Sequence, residues 1–200
     1  MQINTGKYIR FMNKFLAIVT IVGIAIIGFS ACSNNGKSGA VKEDGLPERS
    51  IDDIEMVMMT DSGNHVADPD GFVLPKTIEQ TNKRIYKLQT ASGVNMAFVV
   101  AGKIKTEDMR EFALQVGTKY GKAAGNNQKA IVVVMAVENP KWYMAIGNGL
   151  KKEFPDTICQ QINNESIAPH LGRGNPDKAV NAVMDAVYER IKPKTNDSDF

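Results

Sequence analysis

The 200 residues carry 24 Lys and Arg against 22 Asp and Glu, a net charge of +2, with only 2 Cys and 2 His. This is length for one domain of ordinary size. It gives too little positive excess to neutralise a phosphate backbone, which excludes nucleic acid as an expected partner. It also gives too few His and Cys for a His-rich metal centre or a disulfide framework.

In chain order the first feature is a basic start, Lys7, Arg10 and Lys14, followed by an uncharged apolar run over 15–29. The run has the length of a signal-peptide core and falls short of the roughly 20 residues that span a bilayer. Ser30-Ala31-Cys32 comes next, and "SNNGKSG" turns polar at once. This resembles a bacterial lipoprotein signal, with Phe29 where an aliphatic residue is usual. Residues 1–31 are then the signal peptide, with Met1 or Met12 as its start, and Cys32 is the lipidated anchor. Its acyl chains supply the two or more lipid signals that stable attachment needs. The other reading is an uncleaved membrane helix. Both hold the chain at a membrane and place the domain in the cell envelope, outside the cytoplasm. Cleavage removes three cations and no acid, leaving 21 cations against 22 acids. Cys159 is then the one free thiol, and no internal disulfide can form.

Residues 32–50, rich in Gly, Ser, Asn, Lys and Glu, read as a flexible tether, and 51–192 as the domain. Met56 to Thr60 predicts a short strand before the turn residues Asp61-Ser62-Gly63-Asn64. Ile78, Ile85 and Leu88 recur at helical spacing between Pro75 and Gly93. "VNMAFVVAG" predicts a strand buried on both faces. "KTEDMREFALQVGTKYG" predicts a helix opened by Thr106, and Ile131 to Ile146 a hairpin turned at "ENPK". Two helices follow, Thr157 to about Ala168 and Pro176 to Ile191, and 193–200 reads as a disordered tail. Helices before and after the hairpin can cover a small mixed sheet on both faces, so the expected fold is α/β, a three-layer α/β/α sandwich.

Four stretches carry a family resemblance: "VADPDGFVL", "SGVNMAFVV", "AIVVVMAVENPKWYMAIGNGL", and "FPDTICQQI" with "IAPHLGRGNPDKAV". In order and spacing, residues 64–191 resemble the TPM-domain family. The resemblance implies the sandwich fold and divalent-metal binding, often calcium, at acidic residues near the strand ends. Carried over, it assigns Asp68 and Asp156. One departure stands out: Asn127-Gln128-Lys129 replaces the Asp-Asn-Gly of many members, an amide where they have a carboxylate. The family includes envelope proteins and a protein described as an acid phosphatase. The resemblance and the tether therefore imply an accessory factor for membrane-protein assembly, repair or quality control, with an envelope protein as partner. The alternative is a divalent-metal-dependent acid phosphatase, which the departure at Asn127 argues against.

Read from the residues alone, the candidate site has two explanations. Calcium takes about six to eight oxygens, which Asp68 and Asp156 could begin to supply, with Asp70, Asn127 and Glu153 as further donors. Asp68-Pro69-Asp70-Gly71 is equally a good turn, and Asp156 a good helix cap. Gly147-Asn148-Gly149 could bring backbone N–H groups to an anion, or could supply positive φ where a strand turns into a helix. No nucleophile elbow or Ser-His-Asp order is present, and no catalytic residue is assigned. Cys159 is expected to pack inward.

Overall fold

The computed structural model describes residues 45–55, 63–121 and 128–191. All lie within one unit bounded by Glu43 and Phe200. The signal-like start, Cys32, the expected strand at 56–60, Asn127 and the tail after Pro193 fall outside the described residues.

The strands are β1 Glu48–Arg49, β2 Val66–Ala67, β3 Asn95–Ala101, β4 Lys103–Ile104, β5 Ala130–Ala136 and β6 Lys141–Ile146. The helices are α1 Pro75–Ser92, α2 Met109–Gly121, α3 Asp156–Ile162, α4 Ala168–Leu171 and α5 Pro176–Ile191. The main sheet runs β2-β3-β5-β6, with the first three strands parallel and β6 antiparallel to β5. The apolar runs behave as composition requires: all of β3 is buried, because helices cover both faces.

Alternation along the strands sorts the core into two layers. Met96, Phe98, Val100, Ile131, Val133 and Met135 face α1, α5 and the α3–α4 region. Ala97, Val99, Ala101, Val132, Val134 and Ala136 face α2. Bulky residues fill the side with several helices, while alanines let the single helix α2 approach closely. The sandwich is thus unevenly loaded. The crossovers β2-α1-β3 and β3-α2-β5 step the same way across the sheet but lie on opposite faces, so one has the uncommon left-handed sense.

Local differences from the sequence expectations have physical causes. Asp108, not Thr106, caps α2: its Oδ1 accepts the Glu111 N–H at 2.9 Å, and Thr106 Oγ1 accepts the Asp108 N–H at 3.0 Å. The helix expected to end near Ala168 runs on through α4, and its middle is a π turn, Asn163–Ile167. Pro169 explains the widening, since it has no N–H for the carbonyl four residues back. Residues 45–50, read as tether, are structured. β1 pairs in parallel with β4, and Ile54 just beyond it is 1% exposed inside the α2-side core. The tether reading misses this because the segment is too polar to announce burial, and its backbone is satisfied by a strand far along the chain.

Candidate functional site

Asp68 leaves the end of β2, an edge strand of the sheet. Its Oδ1 accepts the Phe72 N–H at 2.9 Å and its Oδ2 the Val73 N–H at 2.7 Å. The Asp68 carbonyl also receives the Gly71 N–H at 3.4 Å, closing a turn in which Gly71 takes φ of 74°, a conformation glycine adopts at no steric cost. The loop therefore folds around the Asp68 carboxylate.

Asp70, two residues on, has a side chain only 1% exposed. Its Oδ1 accepts from Arg49 Nε at 3.0 Å and from Nη2, and its Oδ2 accepts the Gly102 N–H at 2.9 Å. Burial pushes the Asp70 pKa up, but the Arg49 hydrogen bonds, the Gly102 N–H and the Arg49 charge outweigh it, leaving the pKa below the ordinary carboxylate value. Arg49 comes from β1, so the segment ahead of the sandwich supplies the counter-ion of this loop. The sequence carried no signal for that partner: 20 residues separate it from the loop, and it sits in a polar stretch.

Beside this loop, Asp53, Glu55, Asn64 and Asp68 line an open cleft of about 280 Å³. Its acids come from both the upstream segment and the end of β2. Asp53 is itself engaged, accepting from the Ser50 backbone N–H at 2.7 Å and the Ser50 hydroxyl at 2.6 Å, and these bonds depress its pKa.

The glycine turn after β6 is a close-packed junction. Gly147 donates to Ala130 O and Gly149 to Gln128 O, both at 2.8 Å, and Leu150 donates to Gly147 O at 2.9 Å. These N–H groups point at protein carbonyls, so they form no cradle for an anion. Positive φ is not the reason for the glycines either: Gly147 has φ of −64°, and Gly71, Gly93 and Gly174 are the positive-φ glycines among the described residues. A Cβ at position 149 would stand 3.0 Å from the Gln128 carbonyl oxygen, so close backbone approach requires glycine there.

Asp156 is exposed in the first turn of α3. Pro155 takes the N-cap position and no side-chain cap bond forms, which corrects the expectation that Asp156 caps this helix. Its charge still suits the positive end of the helix. Glu153 is exposed, and its carbonyl accepts from Arg190 Nε at 2.6 Å. The chain leading to Asp156 descends from β6, the edge strand opposite the one that delivers Asp68. Among the described residues no three His, Cys, Asp or Glu groups are placed to share a metal ion. Asp68 and Asp156 thus stand at opposite edges of the sheet, and a cation on Asp68 would compete with two amide bonds.

Cys159 is half-buried against the core, its Sγ 3.6 Å from the Phe154 carbonyl. Burial, and secondarily the Asp156 charge, push its thiol pKa up, the opposite of what a nucleophile needs. Trp142 packs against the larger core.

The TPM domain matches residues 66–190, more than half of the chain. The protein belongs to the TPM domain family. The N-terminal domain of a P. gingivalis protein superposes with a TM-score of 0.64 at 21% identity, over 76% of this chain and 99% of that one. The N-terminal domain of the cg2496 protein of Corynebacterium glutamicum gives 0.53 at 14% identity, over 68% and 84%. The BA42 protein of Bizionia argentinensis gives 0.51 at 14%, over 64% and 89%. At these identities the likeness is one of fold. No curated protein matches the chain. The β1 strap and Arg49 lie upstream of the matched TPM domain, yet they complete its acidic loop. Among the described residues no helix is long and apolar enough to cross a membrane.

Proposed function

We propose that this TPM-domain protein is anchored in the cell envelope through lipid on Cys32 and works by binding. In this role it is an accessory factor in the assembly, repair or quality control of membrane proteins. One observation carries the preference for binding over catalysis: apart from the exposed Asp156, the polar groups of the candidate site described above serve the fold. The Asp68 carboxylate holds Phe72 and Val73, the Asp70 carboxylate holds Arg49 and Gly102, and the Gly147 and Gly149 amides hold Ala130 at the start of β5 and Gln128 just before it.

Two measurements test the proposal. Phosphate-ester hydrolysis is assayed with calcium or magnesium present, and no turnover beyond that of an Asp156→Ala variant is expected. Metal-dependent turnover lost in that variant would make the protein an acid phosphatase instead. The anchor is tested by labelling cells with a fatty-acid analogue, where Cys32→Ser should abolish incorporation. Unchanged labelling would remove the lipid anchor.

A further inference from the structure

Strand β6 ends one side of the main sheet, with no further strand beyond it among the described residues. Its pairing with β5 fixes which of its backbone groups point outward. The register sets Ile146 opposite Ile131, and the Gly147 N–H reaches Ala130 O at 2.8 Å. Bonded and non-bonded positions alternate along an antiparallel pair. Tyr143 and Ala145 therefore bond to β5, while Trp142, Met144 and Ile146 aim their N–H and C=O groups away from it. Among the described residues none of those outward groups has a hydrogen-bond partner. Edges of this kind are ordinarily blunted by shortness, charge or proline. The opposite edge strand, β2, has 2 residues, whereas β6 runs for 6 with one charge, Lys141, at its first position and no proline.

Beside this edge, on the α2 side, lies a depression of about 200 Å³ walled by Ala113, Leu114 and Gly117 of α2 and by Ala145 of β6. It is smaller than the roughly 300–1,000 Å³ of a small-molecule site and has the size of one aromatic side chain. Leu114 is 45% exposed there. These features complement each other across a two-fold axis. With a second β6 running antiparallel along the first and Met144 opposite Met144, Trp142 faces Ile146, and all the outward residues of both copies exchange bonds. No other register uses all of them. The same register sets Tyr143 opposite Ala145. Both lie on the α2 side, so each Tyr143 is carried to the depression beside the other copy's Ala145. Lys141 falls opposite Gly147, and no like charges meet. Helix α2 packs over β5 and β6 alike. With strands about 4.8 Å apart, the two α2 helices then stand about 10 Å from each other, at helix-packing distance, and cover Leu114.

We propose that two copies of this chain associate through antiparallel β6 strands, joining their four-stranded sheets into one. Such a contact is isologous and closes on itself. It depends neither on the lipid anchor nor on the accessory role.

The test uses the unit from Glu43 to Phe200, which contains both hydrophobic cores and so carries what it needs to fold. Sedimentation equilibrium should return twice the monomer mass at high concentration and the monomer mass on dilution. Over the same dilution, hydrogen exchange at the Trp142, Met144 and Ile146 amides should accelerate about tenfold or more, while the Tyr143 and Ala145 amides, bonded to β5, should not change. Leu114→Lys sets two cations across the axis, and Tyr143→Lys empties the depression; each should weaken association about tenfold or more. Leu114 is exposed, so its variant leaves the fold intact. Leu74→Lys, at a side chain 63% exposed on another part of the surface, should leave association unchanged. In cells, a photo-cross-linker at Tyr143 of the full chain should give a product of twice the chain mass.

A monomer at millimolar concentration would overturn the proposal. So would a dimer whose Trp142, Met144 and Ile146 amides exchange as in the monomer, or association unaffected by Leu114→Lys. Cross-links from Tyr143 to proteins of other mass alone would assign the edge to a partner's strand, which also overturns the pairing of copies.

Discussion

Replacing Asp68 separates the structural role of its carboxylate from a role as cation ligand, because the two predict opposite signs. The carboxylate receives the Phe72 and Val73 N–H groups at 2.9 and 2.7 Å, and Val73 is 4% exposed. A hydrogen bond to a charged acceptor contributes about 1.5–3 kcal/mol. Asp68 is only partly buried, so the lower end applies, and Asp68→Ala should cost about 3 kcal/mol for the two bonds. Asp68→Asn keeps one acceptor oxygen but sets its NH₂ against the second N–H, and should cost about 1.5 kcal/mol. Urea unfolding followed by fluorescence measures this as a lowered midpoint with an unchanged slope. If Asp68 instead served chiefly to hold a cation, it would repel Asp53 and Glu55 across their shared cleft, and alanine would relieve that repulsion. An alanine variant as stable as the parent, or more so, without added metal would refute the structural assignment.

Three further outcomes follow from the described geometry. His65 is 2% exposed with Nδ1 unpartnered, and burial, against a raising hydrogen bond to the Met96 backbone, holds its pKa below 6.5. The unfolded chain thus takes up the proton first, so stability should begin to fall as pH drops below about 6.5, by up to about 1.4 kcal/mol per pH unit. His65→Phe should flatten that slope, and a slope left intact would end the argument. Ile54→Ala should cost about 2–4 kcal/mol as a core truncation, although Ile54 lies upstream of the family match at 66–190. A cost under about 0.5 kcal/mol, typical of surface positions, would show the strap to be dispensable. The Cys159 thiol should react slowly with iodoacetamide at pH 8 in the folded protein and rapidly in urea, as mass spectrometry would record. Equal rates would contradict its burial.

Much of the candidate site was legible at the level of residue type and little at the level of role. Asp68 and Asp156 stand where the motifs placed them, but motif spacing reports neighbours along the chain. The bonds that commit Asp70 depend on Arg49 and Gly102, which are distant in sequence. The glycines at 147 and 149 were legible as a turn, yet the cause at Gly149 is the Gln128 carbonyl of the preceding loop, which φ preference alone could not reveal.

What the sequence determined by itself is local and periodic. Alternating and continuous apolar runs set β3, β5 and β6, helical spacing set α1, α2 and α5, and together they dictated a sheet covered on both faces. These features follow from hydrophobic burial at two fixed periods, which any stretch of chain displays without its partners. The tertiary structure alone decided which helices share a face, how residues 48–54 strap onto β4 and α2, and which partner satisfies each buried carboxylate. Those outcomes arise from long-range pairing, where a polar group is settled by whichever donor the fold brings within hydrogen-bonding distance.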